Sequence, residues 1–233
     1  MQFRLHDCEK RYNFVNDYRN IAITELRENN MQAIARLFST LLSPLLMPTY
    51  GIFLVLWVSI LCYLPTGTRM VVLLVVFGIT CILPMTVIAV LHNLKVIEDK
   101  RLVNRKERLL PYIAAFLCYV GCGLYLTHIH MQQWAVVFAW GGAAACVVAT
   151  IVNFWWKISA HMAGIGGVLA FLVRLRMDGL AAFNIYWLIC AIISLARMLG
   201  TSRIYMNRHT FWQVVAGFAN GYICVYTLSK LLA

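Results

Sequence analysis

The sequence predicts an all-α protein: a polytopic transmembrane bundle of six or seven spanning helices, with a chemical site at one membrane interface. The first observation behind this is composition, since 62% of the 233 residues are hydrophobic and only 12% are charged. The second is a mean hydropathy of +0.75, far from that of a soluble domain of this length. The third is the recurrence of uncharged apolar stretches of about 20 residues, the length at which a helix crosses a hydrocarbon core of roughly 30 Å with its backbone satisfied internally.

Residues 1–32 read as a polar tail of mixed charge, with an amphipathic surface helix over residues 12–30, and residues 33–233 as the membrane domain. The first thirty residues lack the basic start, apolar core and small-residue end of a cleavable signal, so insertion is expected to rely on the first span. That span runs from about Ala33 to Tyr63. Pro44 and Pro48 should kink or break it, because proline has no amide donor and clashes with the preceding turn. Six crossings result if this piece is re-entrant, seven otherwise. Leu64-Pro65-Thr66-Gly67 reads as a turn, Met70 to Leu91 as a second span containing Pro84, and His92 to Arg108 as a hydrophilic loop. Leu110 to Leu126 and Trp134 to Trp156 span next, separated by a turn over His128 to Gln133. Ser159 to Leu175 has the weakest apolar signal, with Arg174 and Arg176 snorkelling to the interface. Gly179 to Ala196 spans, Arg197 to His209 is a loop, and Phe211 to Ser229 is the last span, with Gly217 and Gly221 spaced for close helix packing.

Even numbers of crossings separate the loop after Leu91, the segment Lys157 to His161 and the segment Arg197 to His209. All three therefore share one membrane face. With the N-terminus on that face, the Lys and Arg residues opposite are Arg69, Arg174, Arg176 and Lys230. The positive-inside rule reads the shared face as cytoplasmic. Apart from Cys8, the cysteines lie in apolar segments and should pack as small hydrophobes. Cys118 and Cys122 share a helical face without a third ligand beside them, so no metal site is expected.

Each polar segment on the shared face holds groups suited to an anion. Arg101, Arg105 and Arg108 are spaced i, i+4, i+7 and would lie on one side of a helix, where guanidinium groups fork onto phosphate oxygens. Ser159 and the Ala160 amide could donate to a phosphate at a helix start, and His161 could exchange a proton near neutral pH. Arg203 and His209 precede the final span, with Gln213 one turn beyond His209. Taken singly, these are also what a basic, headgroup-binding membrane surface contains.

The third cluster, Ser202-Arg203, five residues, His209, three residues, Gln213, resembles a motif of the type 2 phosphatidic acid phosphatase superfamily of membrane lipid phosphatases, with Gln where that motif has Asp. Ile158-Ser159-Ala160-His161 is similar to the family's Pro-Ser-Gly-His. Arg101, six residues, Arg108 keeps the spacing of its Lys, six residues, Arg-Pro, with Leu109 in place of proline. The resemblance covers roughly residues 92 to 221 and implies hydrolysis of a lipid phosphate without metal or cofactor. His209 would be the nucleophile, and His161 the acid and then the base. Arg101, Arg108, Arg203, Ser159 and the Ala160 amide would hold the phosphoryl oxygens, with Arg105 as a further candidate outside the family pattern. Gln213 can accept a hydrogen bond from His209 but carries no charge, which bears on rate more than on geometry. The expected partners are a lipid phosphate and membrane lipids, with no nucleic acid. The resemblance implies a bacterial inner membrane, often with the site on its outer face, whereas the charge bias favours the cytoplasmic face. Two other readings remain open: a degenerate member that binds or moves anionic lipids, and a lipid phosphotransferase.

Overall fold

The structure, a computed structural model, describes residues 27, 29–94 and 109–232. Among them, regular structure is helical, apart from one antiparallel bridge between Ser59 and Ala181. The helices are α1 (29–41), α2 (Met47–Val58), α3 (Thr66–Phe77), α4 (Leu83–Asn93), α5 (Leu109–His128), α6 (Gln133–Asn153), α7 (Ala160–Met177), α8 (Tyr186–Tyr205) and α9 (Phe211–Leu232). Four helical stretches are long and apolar enough to cross a membrane: Thr66–Asn93, Gln133–Asn153, Ala160–Met177 and Tyr186–Tyr205. The chain is an integral membrane protein.

The expected first span is divided. α1 ends at residue 41, a turn covers 42–46, and Pro48 sits in the first turn of α2, where its missing N–H costs no helical bond. One 3-10 turn, Ile60–Tyr63, follows. Most of the expected amphipathic stretch, 12–30, lies outside the described residues, and among those described α1 carries a two-faced pattern. Its apolar Met31, Ile34, Leu37 and Leu41 are exposed, Ala35 and Ser39 face inward, and Gln32, Arg36 and Thr40 are exposed on another side.

The second span starts earlier than expected. Thr66 and Gly67 belong to α3, which Pro65 precedes as cap, and helix continues to Asn93. Pro84 is absorbed by a π-turn, Gly78–Ile82, in which the Leu83 amide donates to the Gly78 carbonyl five residues back. One extra residue in the turn relieves the ladder that proline interrupts.

The seventh helix, with the weakest apolar signal, is the centre of the bundle. The α7 span is 56% buried, against 22% for α8 and 28% for Thr66–Asn93. Its last turn holds Arg174, paired with Asp178 at 2.9 Å and lying over the Tyr226 ring, and Arg176, over the Tyr186 ring. The next span begins at Tyr186, not Gly179. Gly179, at φ 69°, closes α7 in the left-handed conformation, and the chain then pairs with the end of α2. Ile60 donates to the Leu180 carbonyl and Ala182 to the Val58 carbonyl, so this backbone is committed to a tertiary contact. At its other end α8 continues through Tyr205, so most of the expected loop Arg197 to His209 is helix and only residues 206–210 connect it to α9.

α7 and α9 run parallel in close contact, with glycines at the crossing. A methyl group on Gly217 would overlap the Ser159 carbonyl, one on Gly221 the Ala163 carbonyl, and one on Gly166 the Phe218 carbonyl. Gly217/Gly221 and Ser159/Ala163 are each four apart, so one edge of α9 lies on one edge of α7, as the glycine spacing predicts. This crossing sets the relative height of the two helix starts, and both starts carry a histidine.

Candidate active site

One end of the bundle collects the C-terminal ends of α1, α4, α6 and α8 and the N-terminal ends of α2, α5, α7 and α9. At the opposite end Arg69 stacks on Trp57, and the Arg174–Asp178 pair and Lys230 are found there too. These are cations that the crossing parity assigned to the opposite face, whereas most of the basic residues assigned to the histidine-bearing face, in 1–26 and 95–108, lie outside the described residues.

The start of α9 is built by side chain as much as by backbone. Gln213 is the third residue of α9 and Thr210 its cap, a Thr-x-x-Gln pattern in which the glutamine reaches back to the cap residue. The Thr210 amide donates to Gln213 Oε1 at 3.2 Å, and His209 Nδ1 lies 3.3 Å from the same oxygen. The Gln213 amide oxygen carries no hydrogen and can only accept, so the proton of this contact is on Nδ1, and the neutral ring keeps its lone pair on Nε2. Gln213 thus orients His209 as its position in the motif implies, although it supplies no charge. Gln213→Ala is expected to lower turnover about tenfold through the loss of these bonds, whereas Gln213→Glu should match or exceed the parent. Phosphate release by the two variants checks this.

The five-residue spacing between Arg203 and His209 also has a structural origin. α8 ends at Tyr205, Met206 and Asn207 donate to Ser202 and Ile204, and Asn207 sits at φ 53°. The left-handed residue turns the chain back, so the Arg208 and His209 amides both donate to the Arg203 carbonyl, at 3.1 and 3.3 Å. Asparagine tolerates this conformation where a β-branched residue does not. Asn207→Val is expected to cost about 1–3 kcal/mol and to displace His209, while Asn207→Gly keeps both stability and activity. Unfolding midpoints in detergent and phosphate release for both variants test it.

The second cluster is held against the third. The Ser159 amide donates to the Gln213 carbonyl at 3.1 Å, joining the start of α7 to the first turn of α9. Ser159 is fully buried, and its hydroxyl has no partner among the described residues. Such a group is costly unless something outside those residues satisfies it, and a ligand oxygen is one candidate. Ser202, by contrast, spends its hydroxyl on the Met198 carbonyl within α8.

Ala160, His161, Arg203 and His209 line one cavity of about 350 Å³. The sequence-predicted residues of the second and third clusters are therefore brought together, with Gln213 directly behind His209. Arg101, Arg105 and Arg108 lie outside the described residues. From the polar mouth the cavity continues between α5, α6, α7 and α9, lined by Phe138, Gly142, Ala149, Gly164 and Val225 among others. The residue that sequence reasoning missed is Ser39 of α1. It is buried, its hydroxyl accepts from Arg203 Nη1 at 2.7 Å, and its carbonyl lies 3.1 Å from His161 Nε2. No motif marks it; the one signal is a serine on the inward edge of an amphipathic segment.

Fold and site together define an integral membrane protein with a helical bundle and two histidines and an arginine gathered at its mouth. The PAP2 superfamily profile matches residues 153–233, the segment that supplies Ser159, Ala160, His161, Arg203, His209 and Gln213. That match, over the C-terminal third of the chain, supports membership of the PAP2 superfamily, whose members are in general phosphatases, and the apolar helices fit a membrane lipid phosphatase. No curated protein and no solved structure matches the chain.

Proposed function

We propose that this protein hydrolyses the phosphomonoester or pyrophosphate headgroup of a membrane lipid through a phosphohistidine on His209, using neither metal nor cofactor. The observation that carries the reading is the shared cavity of His209, His161 and Arg203, combined with the Gln213 contact that leaves the His209 lone pair on Nε2. In this scheme His209 Nε2 attacks phosphorus and the bond to the leaving oxygen breaks. His161 gives that oxygen a proton, then takes one from the water that cleaves the phosphorus–nitrogen bond. Arg203, Ser159 and the Ala160 amide hold the phosphoryl oxygens and stabilise their charge, and Arg101, Arg105 and Arg108, outside the described residues, are assigned the same task from their place in the sequence.

Two features favour a lipid over a soluble phosphate. Phe154, Trp155, Trp156, Phe211 and Trp212 are exposed around the histidine-bearing end, as aromatic side chains are at a membrane–water boundary. The apolar extension of the cavity suits a hydrocarbon tail inside the bundle as well as one left in the bilayer. Phosphatidic acid, phosphatidylglycerophosphate, a polyprenyl pyrophosphate and a lipid A phosphate share this chemistry. Bacterial inner-membrane residence belongs to the same proposal.

The test is phosphate release from these four lipid classes in chelator, by the parent and by His209→Ala. Release by the parent alone supports the proposal. Lipid binding with no release would favour a degenerate lipid-binding protein, and transfer of phosphate to an added acceptor lipid would identify a phosphotransferase.

A further inference from the structure

We infer that Ser39 is a positioning residue of the phosphate site, and that α1 is part of the reaction machinery although it lies outside the family-matched segment. The inference rests on the proposed function for its reaction, and on geometry for its residue. Ser39 is 122 residues from His161 and 164 from Arg203, yet it contacts both. A carbonyl only accepts, so the 3.1 Å contact between Ser39 O and His161 Nε2 places a proton on Nε2. The proton that His161 exchanges with the leaving oxygen and with water is then the one on Nδ1. Both imidazoles are thus oriented in the same manner, each with one nitrogen donating to an uncharged carbonyl-type oxygen: Gln213 Oε1 for His209 and Ser39 O for His161.

The Ser39 hydroxyl performs a second task. It accepts from Arg203 Nη1 at 2.7 Å, a bond to a charged donor, and fixes one arm of the guanidinium at the cavity wall. The same oxygen lies 3.3 Å from His161 Nε2, so one hydroxyl touches both the arginine and the histidine. The helix that delivers these groups is anchored on two sides. Tyr50 Oη donates to the Leu41 carbonyl at 2.9 Å, tying the end of α1 to α2. The exposed apolar and polar faces of α1 suit a helix lying along the boundary between acyl chains and water, with Ala35 and Ser39 turned into the bundle mouth.

The test measures kcat/KM for phosphate release and, separately, the Kd of a phosphonate analogue of phosphatidic acid in detergent micelles. It uses the parent, Ser39→Ala, Ser39→Thr, Arg203→Lys and the Ser39→Ala/Arg203→Lys pair. Loss of a hydrogen bond to a charged group predicts about a tenfold fall in kcat/KM and a similar weakening of phosphonate binding for Ser39→Ala. Ser39→Thr, which keeps the hydroxyl, should restore both. Ser39→Ala should add little once Arg203 is lysine, because the two residues act as one unit. Unchanged or improved values for Ser39→Ala, or strictly additive effects in the pair, would overturn the assignment. If the parent releases no phosphate from any lipid, the proposed function falls on its own, and phosphonate affinity still decides the role of Ser39.

Discussion

His209→Ala is expected to abolish phosphate release, with a loss of at least about 10⁴-fold, because the proposed nucleophile is removed and a group that acts as a unit with its partners is not replaced by any one of them. In the proposed mechanism the attacking nitrogen is Nε2, because Nδ1 donates to Gln213 Oε1. The phosphorus–nitrogen bond of a phosphohistidine survives alkali and breaks in acid. Alkaline quenching of the parent with labelled lipid phosphate should therefore retain label on the chain, and His209→Ala should retain none. The variant leaves the Thr210–Gln213 cap in place, so its unfolding midpoint should stay near that of the parent. Undiminished turnover in His209→Ala would remove the nucleophile assignment, and label held on another residue would relocate it.

Gly221→Ala should produce the largest loss of stability among conservative substitutions, about 3 kcal/mol or more. Its new methyl group would overlap the Ala163 backbone carbonyl, and a helix backbone, unlike a side-chain tip, cannot rotate aside. α7 and α9 must then separate, which shifts the Ser159 to His161 segment away from His209, so activity should fall with the unfolding midpoint in detergent. Gly67→Ala is the control: nothing lies within 4 Å of an added methyl there, and stability should hold or rise slightly. Equal midpoints for the two variants would show that the close crossing does not limit stability.

Much of the site was legible because its spacing is imposed by local structure. Arg203 and His209 stand six apart because a helix end, one left-handed residue at Asn207 and a return to the Arg203 carbonyl need that many residues. The Thr-x-x-Gln pattern was equally visible as a capping arrangement, and it accounts for Gln213 without invoking charge. The ends of α8 were not legible. Apolar periodicity could not reveal that residues 180–182 would pair with the end of α2, or that Arg197 to Tyr205, polar enough for a loop, would remain helical at the bundle rim.

Hydropathy was weakest where burial is greatest. α7 has a mean hydropathy of 1.3 in its best window and is 56% buried, while Thr66–Asn93 reaches 2.8 and is 28% buried. A helix enclosed by other helices can be built of glycine, alanine and a few cations with partners, although α8, at 1.4 and 22% buried, shows that low hydropathy does not by itself mark burial.

The sequence by itself determined the helical class, the membrane environment and the shared end of the second and third polar clusters with their two histidines, because each follows from composition, crossing parity or short-range spacing. Only the tertiary structure decided the central place of α7 and the arrival of Ser39 beside His161 and Arg203. Those depend on contacts between segments far apart in the chain, 122 and 164 residues for Ser39, which chain-local chemistry does not encode.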